Sequence, residues 1–144
     1  SLQSDEVPVL ICHGIKKIAP WGELLSTRAR FLKAAGCLTD GSVRDVRLIR
    51  EMGFPVFAGN ISPLDSKHRG KLTWSDVTGE IHGVPVHSGD LIFGDVDGVL
   101  IIPKANVETV LEKALQKVSE ENIVRQKLEK GKTLEQIFSE HGIL

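Results

Sequence analysis

The alternation of short strands and helices over the first 60 residues constrains the fold of this chain more than any other feature. An apolar run at 7–12 predicts a buried strand, and apolar residues at helical spacing over 22–35 predict a helix that Gly36 closes in a left-handed conformation. The chain then predicts a strand at 37–39 ending in a turn at Asp40-Gly41, a helix at 45–52 and a strand at 54–58. This order favours parallel strands in an α/β layer.

The second half of the chain has a different pattern. Short apolar strands are predicted at 72–77, 80–86, 90–93 and 99–102, with glycine-bearing turns between them. This spacing is typical of antiparallel hairpins and predicts a second β layer. The strongest helical pattern starts after Asn106, a candidate N-cap, and extends to 118 or on to Gly131. Thr133 and Gln136 then predict a capping box for a terminal helix.

Composition limits the classes of function. The chain has 144 residues, of which 41% are hydrophobic and 26% charged, and its net charge is −1. This length predicts one domain over residues 1–144. The charge gives no general reason to bind nucleic acid or a membrane surface. The densest positive cluster, at 67–71, has two interpretations: a solvated loop, or a site for an anionic ligand or a protein partner.

The cysteines and the apolar runs predict a cytoplasmic protein. Cys12 and Cys37 have no C-x-x-C spacing, which argues against both a zinc site and a disulfide scaffold. Buried free thiols in a reducing compartment are the simplest interpretation. The sequence shows neither a signal peptide nor an apolar run long enough to span a bilayer.

The candidate chemistry starts at Arg44-Asp45, which follows the predicted strand at 37–39. Taken alone, an aspartate here is commonly a helix cap and an adjacent arginine is commonly exposed. However, ligands of open α/β layers bind at the carboxyl ends of the strands. Mg²⁺ needs only one or two protein carboxylates, and an arginine can bind an anion through two hydrogen bonds. Asp45 is therefore a candidate metal ligand and Arg44 a candidate substrate clamp.

A second segment, Trp21-Gly22-Glu23-Leu24-Leu25, has the same two interpretations. It is either a helix start with an acidic first turn or an anion site formed by the unpaired amides of Leu24 and Leu25. Gly22 would let a ligand approach closely, and Glu23 could hold a water bound to the metal. The functional interpretation depends on whether this segment meets Arg44-Asp45 in space.

Five motifs in order carry a family resemblance. They are Trp21–Leu25, Gly36–Asp45, Gly53–Ala58, Ser88–Ile92 and Asp95–Val99. On these motifs, and over most of the chain from about Pro8 onward, the sequence resembles the RraA-like family, which includes 4-hydroxy-4-methyl-2-oxoglutarate aldolases and the regulator of ribonuclease E activity. Members have also been named demethylmenaquinone methyltransferases, but the chain has no glycine-rich cofactor loop of the expected kind.

The resemblance implies a fold and an assembly. The expected fold is α/β, a layered β/β/α (swivelling-domain-like) sandwich with C-terminal helices. The family forms homotrimers or dimers of trimers, with active sites in clefts between subunits. Family members also have sequence ahead of the region where this chain begins, so the chain is expected to be a single RraA-like domain that lacks the N-terminal portion.

The resemblance also implies a metal-dependent lyase that cleaves a 2-oxo acid and decarboxylates oxaloacetate. Asp45 would ligate Mg²⁺ or Mn²⁺, Glu23 would contact the metal through water, and Arg44 would bind the keto or enolate oxygen. The amides of Leu24 and Leu25, beside Gly22, would bind the pyruvyl carboxylate. A glutamate from a neighbouring subunit's C-terminal helix is also expected; Glu121, rather than Glu120, is the candidate.

Two alternatives to the lyase remain. Aldolase members tend to carry acidic residues shortly after the Arg-Asp pair, whereas here Val46-Arg47-Leu48-Ile49-Arg50 follows. One alternative is a non-enzymatic regulator that binds ribonuclease E or a similar protein through a trimer surface. The other is an α/β subunit whose cleft has lost its activity.

Overall fold

The computed structural model describes residues 2–142, which divide into two compact units, the first ending at Pro103 and the second beginning at Lys104. The prediction of a single domain is not tested by this division. The elements of the first unit are β1 (Val9–Leu10), α1 (Glu23–Phe31), β2 (Cys37–Val43), α2 (Val46–Met52), β3 (Val56–Ile61), β4 (Gly79–Ile81), β5 (Val84–Val86), β6 (Leu91–Gly94) and β7 (Val99–Ile102).

The predicted parallel layer is present. Strands β1, β2 and β3 form a parallel sheet in that order, with α1 and α2 as the crossover helices. All seven residues of the central strand β2 are buried, as expected for a strand covered on both faces. Ala29 of α1 and Ile49 of α2 pack with Cys37 and Val43 of β2, so the two helices cover one face of the sheet.

The other face carries the predicted second β layer. Strands β4 and β5 form one antiparallel hairpin, and β6 and β7 form another. Leu38 of β2 packs in a cluster with Ile81 and Val86, and partly buried residues of β6 and β7 extend that cluster. The layers therefore follow the expected α/β class: helices, parallel sheet, then hairpins.

The prediction of a turn at Asp40-Gly41 was wrong, because β2 continues through these residues to Val43. The register with β3 shifts between Thr39 and Ser42, so that Asp40 and Gly41 form a β-bulge. Asp40 Oδ1 and Oδ2 accept hydrogen bonds from the backbone N–H groups of Cys12 at 2.5 Å and Gly14 at 2.9 Å. Gly41 is required because a Cβ there would lie 2.7 Å from Cys12 Sγ.

The prediction that Gly36 closes the first helix was also wrong. Helix α1 ends at Phe31, and Lys33 adopts the left-handed conformation, with φ of 62°. The N–H of Lys33 donates to Arg30 O and that of Ala34 donates to Ala29 O, each at 3.0 Å. This pair of bonds is a Schellman motif, which closes the helix three residues earlier than the glycine suggested.

Two predicted strands of the second layer differ in the structure. Residues 72–77 form no strand, and Leu72, Trp74 and Val77 are exposed, so no layer buries their side chains. The predicted strand at 80–86 is instead the β4–β5 hairpin. Its turn residues, His82 and Gly83, have φ of 50° and 82°, as a tight two-residue turn requires.

The second unit contains a short 3-10 turn followed by two helices, α3 (Val107–Glu129) and α4 (Leu134–His141). Asn106 precedes α3 as predicted, but its side chain makes no cap hydrogen bond. No residue of α3 is buried, although its apolar residues follow a helical stripe. The capping box is confirmed: Thr133 Oγ1 accepts from Gln136 N at 3.3 Å, and Gln136 Oε1 accepts from Thr133 N at 3.0 Å.

Glu140 of α4 forms ion pairs with two lysines at the end of α3 and in the loop that follows it. Its carboxylate accepts from Lys127 Nζ at 2.9 Å and from Lys132 Nζ at 2.5 Å, and these bonds lower the pKa of Glu140 to about 2. None of the helices within residues 2–142 combines the length and the apolar composition that crossing a membrane requires.

We expect the α3–α4 contact to loosen in acid. The pKa of Glu140 is lower in the folded state than in the unfolded chain, so its contribution is complete above the ordinary value of 4.5 and is lost as the pH falls towards 2. Helicity measured by circular dichroism should therefore decline between pH 4.5 and 2 in the natural chain. In Glu140→Gln part of that decline should be absent; an identical acid profile in the two proteins would contradict the assignment.

Candidate functional site

The two segments singled out in the sequence meet at the carboxyl end of β2. The N–H of Arg44 donates to the carbonyl oxygen of Trp21 at 3.0 Å, and Trp21 pairs with Val43 in an isolated parallel bridge. The carboxylate of Asp45 accepts from the N–H of Glu23 at 3.2 Å. The amino end of α1 and the Arg44-Asp45 pair therefore form one cluster at the edge where α/β folds bind ligands.

Asp45 precedes α2 without capping it. Its backbone is left-handed, with φ of 59° and ψ of 31°, and its side chain makes no cap hydrogen bond to α2. Instead Oδ2 accepts from Glu23 N and lies 3.1 Å from Nη1 of Arg44. The cap interpretation of Asp45 is therefore wrong, since the carboxylate serves the neighbouring helix and the neighbouring arginine.

Arg44 is held beside this carboxylate while remaining accessible. The side chains of Arg44 and Asp45 retain 36% and 32% of their exposure, so both can reach a ligand from solvent. The guanidinium has five N–H donors in a fixed plane and uses Nη1 towards Asp45. The remaining donors can bind an anionic oxygen while the ion pair persists.

Gly22 explains why the two segments approach so closely. It is buried, and a Cβ at this position would lie 2.8 Å from Asp45 Oδ2 and 3.0 Å from Arg44 Cγ. Any side chain would push both functional groups away from α1. Glycine is needed here for close approach and not for an unusual backbone, because φ of Gly22 is −163°.

The first turn of α1 has backbone N–H groups that are available to an anionic ligand. Leu24 and Leu25 occupy this turn, where backbone N–H groups have no intrahelical acceptor and the helix dipole favours an anion. Their side chains are exposed, at 73% and 47%. Glu23 begins the helix, and its Oε1 accepts from Thr27 Oγ1 at 2.8 Å, which orients the carboxylate along α1.

The donor chemistry fits a hard divalent cation. Asp45 offers an accessible carboxylate beside the backbone N–H of Glu23, and Mg²⁺ uses one or two carboxylate ligands and keeps several waters. Among the described residues no group of three or more His, Cys, Asp or Glu side chains could enclose a metal. A single accessible carboxylate is compatible with an ion such as Mg²⁺ or Mn²⁺ that keeps most of its waters.

The glutamates proposed from a neighbouring subunit lie in the second unit. Glu121 is exposed on α3 and 3.5 Å from Lys117 Nζ, while Glu120 Oε1 accepts from Gln116 Nε2 at 2.9 Å. Neither contact ties these carboxylates to the Arg44-Asp45 cluster. A contribution from a second subunit stays a prediction.

Ser26, which lies behind the cluster, was not predicted from the sequence as a functional residue. It has no exposed surface, and its Oγ accepts from Trp21 Nε1 at 2.8 Å and donates to Gly22 O at 3.0 Å. The spacing of Gly22, Ser26 and Ala29 along one face of α1 was the signal that could have identified it. A small polar residue on a buried helical face needs a polar partner.

The two cysteines are free, as predicted, and neither is activated. Burial raises the pKa of the Cys37 thiol, and burial together with the nearby Asp40 charge raises that of Cys12. Both stay protonated at neutral pH, so a thiolate nucleophile is not part of this site.

An open cleft of about 460 Å³ borders the cluster on the α2 side of β3. Val43 and Val46, the residues on either side of Arg44-Asp45, line part of it, together with Arg50 and Asn60. Its size is within the range of small-molecule pockets. The cleft therefore places apolar side chains next to Arg44-Asp45, together with one more positively charged side chain, that of Arg50.

Comparison with known sequences identifies relatives of this chain. The family model described as RraA-like (Aldolase/RraA) matches residues 1–101. An uncharacterized protein of Methanocaldococcus jannaschii is 32% identical over 92% of the chain. A Halalkalibacterium halodurans protein provisionally named 4-hydroxy-4-methyl-2-oxoglutarate aldolase is 38% identical over 69% of the chain. The chain spans only 64% and 47% of the lengths of these two relatives.

Solved structures share the fold. An uncharacterized protein from Pseudomonas syringae pv. tomato superposes with a TM-score of 0.91 and 25% identity, covering 93% of this chain and 67% of that protein. Streptomyces coelicolor RraAS2, described as an unusual member of the RNase ES inhibitor RraA protein family, has a TM-score of 0.79 and 25% identity. The superposition covers 87% of this chain and 64% of RraAS2.

Proposed function

Since the chain belongs to the RraA-like family, we propose that it is a divalent-metal-dependent lyase that cleaves the C3–C4 bond of a pyruvyl-containing acid and releases carbons C1 to C3 as pyruvate. The expected reactions are aldol cleavage of a 4-hydroxy-4-methyl-2-oxoglutarate-type substrate and decarboxylation of oxaloacetate. The observation that carries the proposal is the hydrogen bond from Glu23 N to Asp45 Oδ2, which joins an anion-binding helix end to an accessible carboxylate.

The amino end of α1 binds the carboxylate of the substrate in this proposal. The N–H groups of Leu24 and Leu25 donate to its oxygens, and the helix dipole adds to the attraction. The exposed side chains of these leucines point to a site open to solvent or to a second chain. Gly22 contributes by having no side chain that would block the approach.

Arg44 and Asp45 act at the reacting end. In aldol cleavage the 4-hydroxyl gives its proton to water and C4 leaves as the carbonyl of the second fragment, and in decarboxylation the leaving fragment is CO2. In both reactions the electron pair of the broken bond stays on the pyruvyl fragment as an enolate, which then takes a proton from water and gives pyruvate. Arg44 donates to the developing enolate oxygen, because its plane has donors beyond the one used on Asp45. Asp45 would hold Mg²⁺ or Mn²⁺, with Glu23 contacting the ion through a water, and the ion when bound supplies Lewis-acid stabilisation of the same charge.

A pyruvate-release assay tests the proposal. Oxaloacetate or the aldol substrate is incubated with the protein, with Mg²⁺ or Mn²⁺ and, in parallel, with EDTA, and pyruvate is measured with a coupled dehydrogenase. The proposal predicts release that depends on both the protein and the cation, above the rate of the cation alone. No release with either substrate and either cation would refute it.

A second candidate is a non-enzymatic regulator that binds a ribonuclease E-like protein. This candidate is favoured by the RraAS2 likeness, since that protein is described as belonging to an RNase ES inhibitor family. A mixed assay that follows ribonuclease cleavage with increasing amounts of this protein distinguishes the two. Inhibition without pyruvate release would favour the regulator, and pyruvate release without inhibition would favour the lyase.

A further inference from the structure

A single peptide unit connects the buried interior of α1 to the candidate site. The carbonyl oxygen of Gly22 accepts from the N–H of Ser26 at 3.1 Å and from its Oγ at 3.0 Å. The N–H of the same peptide unit, that of Glu23, donates to Asp45 Oδ2 at 3.2 Å. Because a peptide unit is planar and rigid, its orientation at the buried carbonyl end fixes its orientation at the Asp45 end.

The indole of Trp21 fixes the serine in turn. Trp21 Nε1 donates to Ser26 Oγ at 2.8 Å, so the hydroxyl hydrogen of Ser26 is left to bond Gly22 O. Trp21 exposes only 6% of its surface and Ser26 none, so water does not compete for these bonds. The carbonyl of Trp21 also accepts from Arg44 N at 3.0 Å, on the side of the site.

We propose that Trp21 and Ser26 are positioning residues of the lyase. They hold the Gly22–Glu23 peptide in the plane that sets the Asp45 carboxylate and the first-turn amides of α1 at a fixed separation. Neither residue touches the substrate. The inference rests on the proposed function for its effect on turnover, but its structural part does not, because the orientation of the Glu23 N–H can be followed without any reaction.

Ser26→Ala and Trp21→Phe test this role, with the double variant. Each single change breaks the chain of hydrogen bonds, and a misplaced catalytic group of this kind costs on the order of 10- to 100-fold in rate. We expect kcat for oxaloacetate to fall within that range in both variants while KM changes less than twofold. The double variant should be no slower than the slower single variant, since the two side chains act as one unit.

Thr39→Val is the matched control. Thr39 is also a buried hydroxyl residue of the first unit, with 2% exposure. Its Oγ1 donates to Leu10 O at 2.8 Å and accepts from Gly41 N at 3.0 Å, and neither partner belongs to the Gly22–Glu23 peptide. The thermal stability of the Thr39→Val variant should fall by about as much as that of Ser26→Ala, while the kcat of Thr39→Val stays near that of the natural protein. An equal loss of kcat in Thr39→Val would mean that general destabilisation, and not positioning, explains the effect.

Amide hydrogen exchange gives a readout that is independent of turnover. The Glu23 N–H should exchange faster in Ser26→Ala and in Trp21→Phe than in the natural protein or Thr39→Val. Trp21→Phe retains most of the ring volume, so the test remains if Ser26→Ala does not fold. Unchanged Glu23 exchange in the folded variants would overturn the inference. Faster exchange in a protein that releases no pyruvate would uphold the positioning and refute only the lyase.

Discussion

Replacing Asp45 with asparagine is expected to abolish cation-dependent release of pyruvate, with a loss of about 1000-fold or more, as for removal of a central electrostatic group. Asparagine retains the size and an acceptor for Glu23 N, so the fold should persist. It removes the negative charge that pairs with Arg44 at 3.1 Å and that would attract the cation. The measurement is the coupled pyruvate assay at saturating Mg²⁺, with the uncatalysed rate subtracted.

Asp65→Asn is the matched control for this change. Asp65 also pairs with an arginine, Arg69, at 3.1 Å, and its side chain is similarly accessible at 45%. It lies in the loop that follows β3, half-buried as Asp45 is, and we assign it no part in the reaction. Full activity in Asp65→Asn with none in Asp45→Asn would support the proposed site. Normal turnover in Asp45→Asn would remove Asp45 from the mechanism.

Gly22→Ala is expected to reduce kcat about 100-fold, the loss that a misplacement of about 1 Å produces. The added Cβ would lie 2.8 Å from Asp45 Oδ2 and 3.3 Å from Arg44 Nε, so both side chains must move away from α1. These atoms are at the far ends of flexible side chains, and the backbone of Gly22 is extended, so the cost in folding should be small.

Gly70→Ala provides the comparison for Gly22→Ala. A Cβ at Gly70 would meet only Ser66, at an ordinary distance of 3.6 Å, on an exposed loop. We expect this variant to match the natural protein in both thermal stability and kcat. If Gly22→Ala kept its activity and its thermal stability, the close approach of α1 to Arg44-Asp45 would not matter for the reaction.

The parallel layer could be predicted from the sequence because its signals are local. Each strand and helix up to β3 has its own apolar period and its own end signals, and the alternation of the two implies parallel pairing. The β6–β7 hairpin was predicted for the same reason, from its glycine-bearing turn, whereas the tight turn that divides 80–86 into β4 and β5 was not. The capping box at Thr133 is likewise a contact between residues three positions apart.

The errors arose where distant contacts override a local signal. Asp40-Gly41 resembles a turn, but the amides of Cys12 and Gly14 satisfy the Asp40 carboxylate and keep β2 continuous. The residues at 72–77 alternate as a strand does, yet no neighbouring strand pairs with them in residues 2–142. A local sequence pattern does not show which distant residues a segment will pair with in the folded chain.

The candidate site was predicted in its residues but not in its geometry. The rule that ligands bind at the carboxyl ends of strands predicted a site at Arg44-Asp45, but whether the start of α1 meets this pair was left open by the sequence. It did not show that Asp45 leaves its own helix uncapped and accepts from Glu23 N instead. Nor did it reveal Ser26, because a single serine inside a helix is usually unremarkable without its buried partner Trp21.

The central claim is that Asp45 and the amino end of α1 bind one anionic ligand together with a divalent cation. Calorimetric titration with oxalate, a stable mimic of the pyruvate enolate, tests it most directly. We predict binding of oxalate in the presence of Mg²⁺, no binding in EDTA, and no binding to Asp45→Asn under either condition. Oxalate binding that is equal with and without Mg²⁺, or unchanged in Asp45→Asn, would contradict the account.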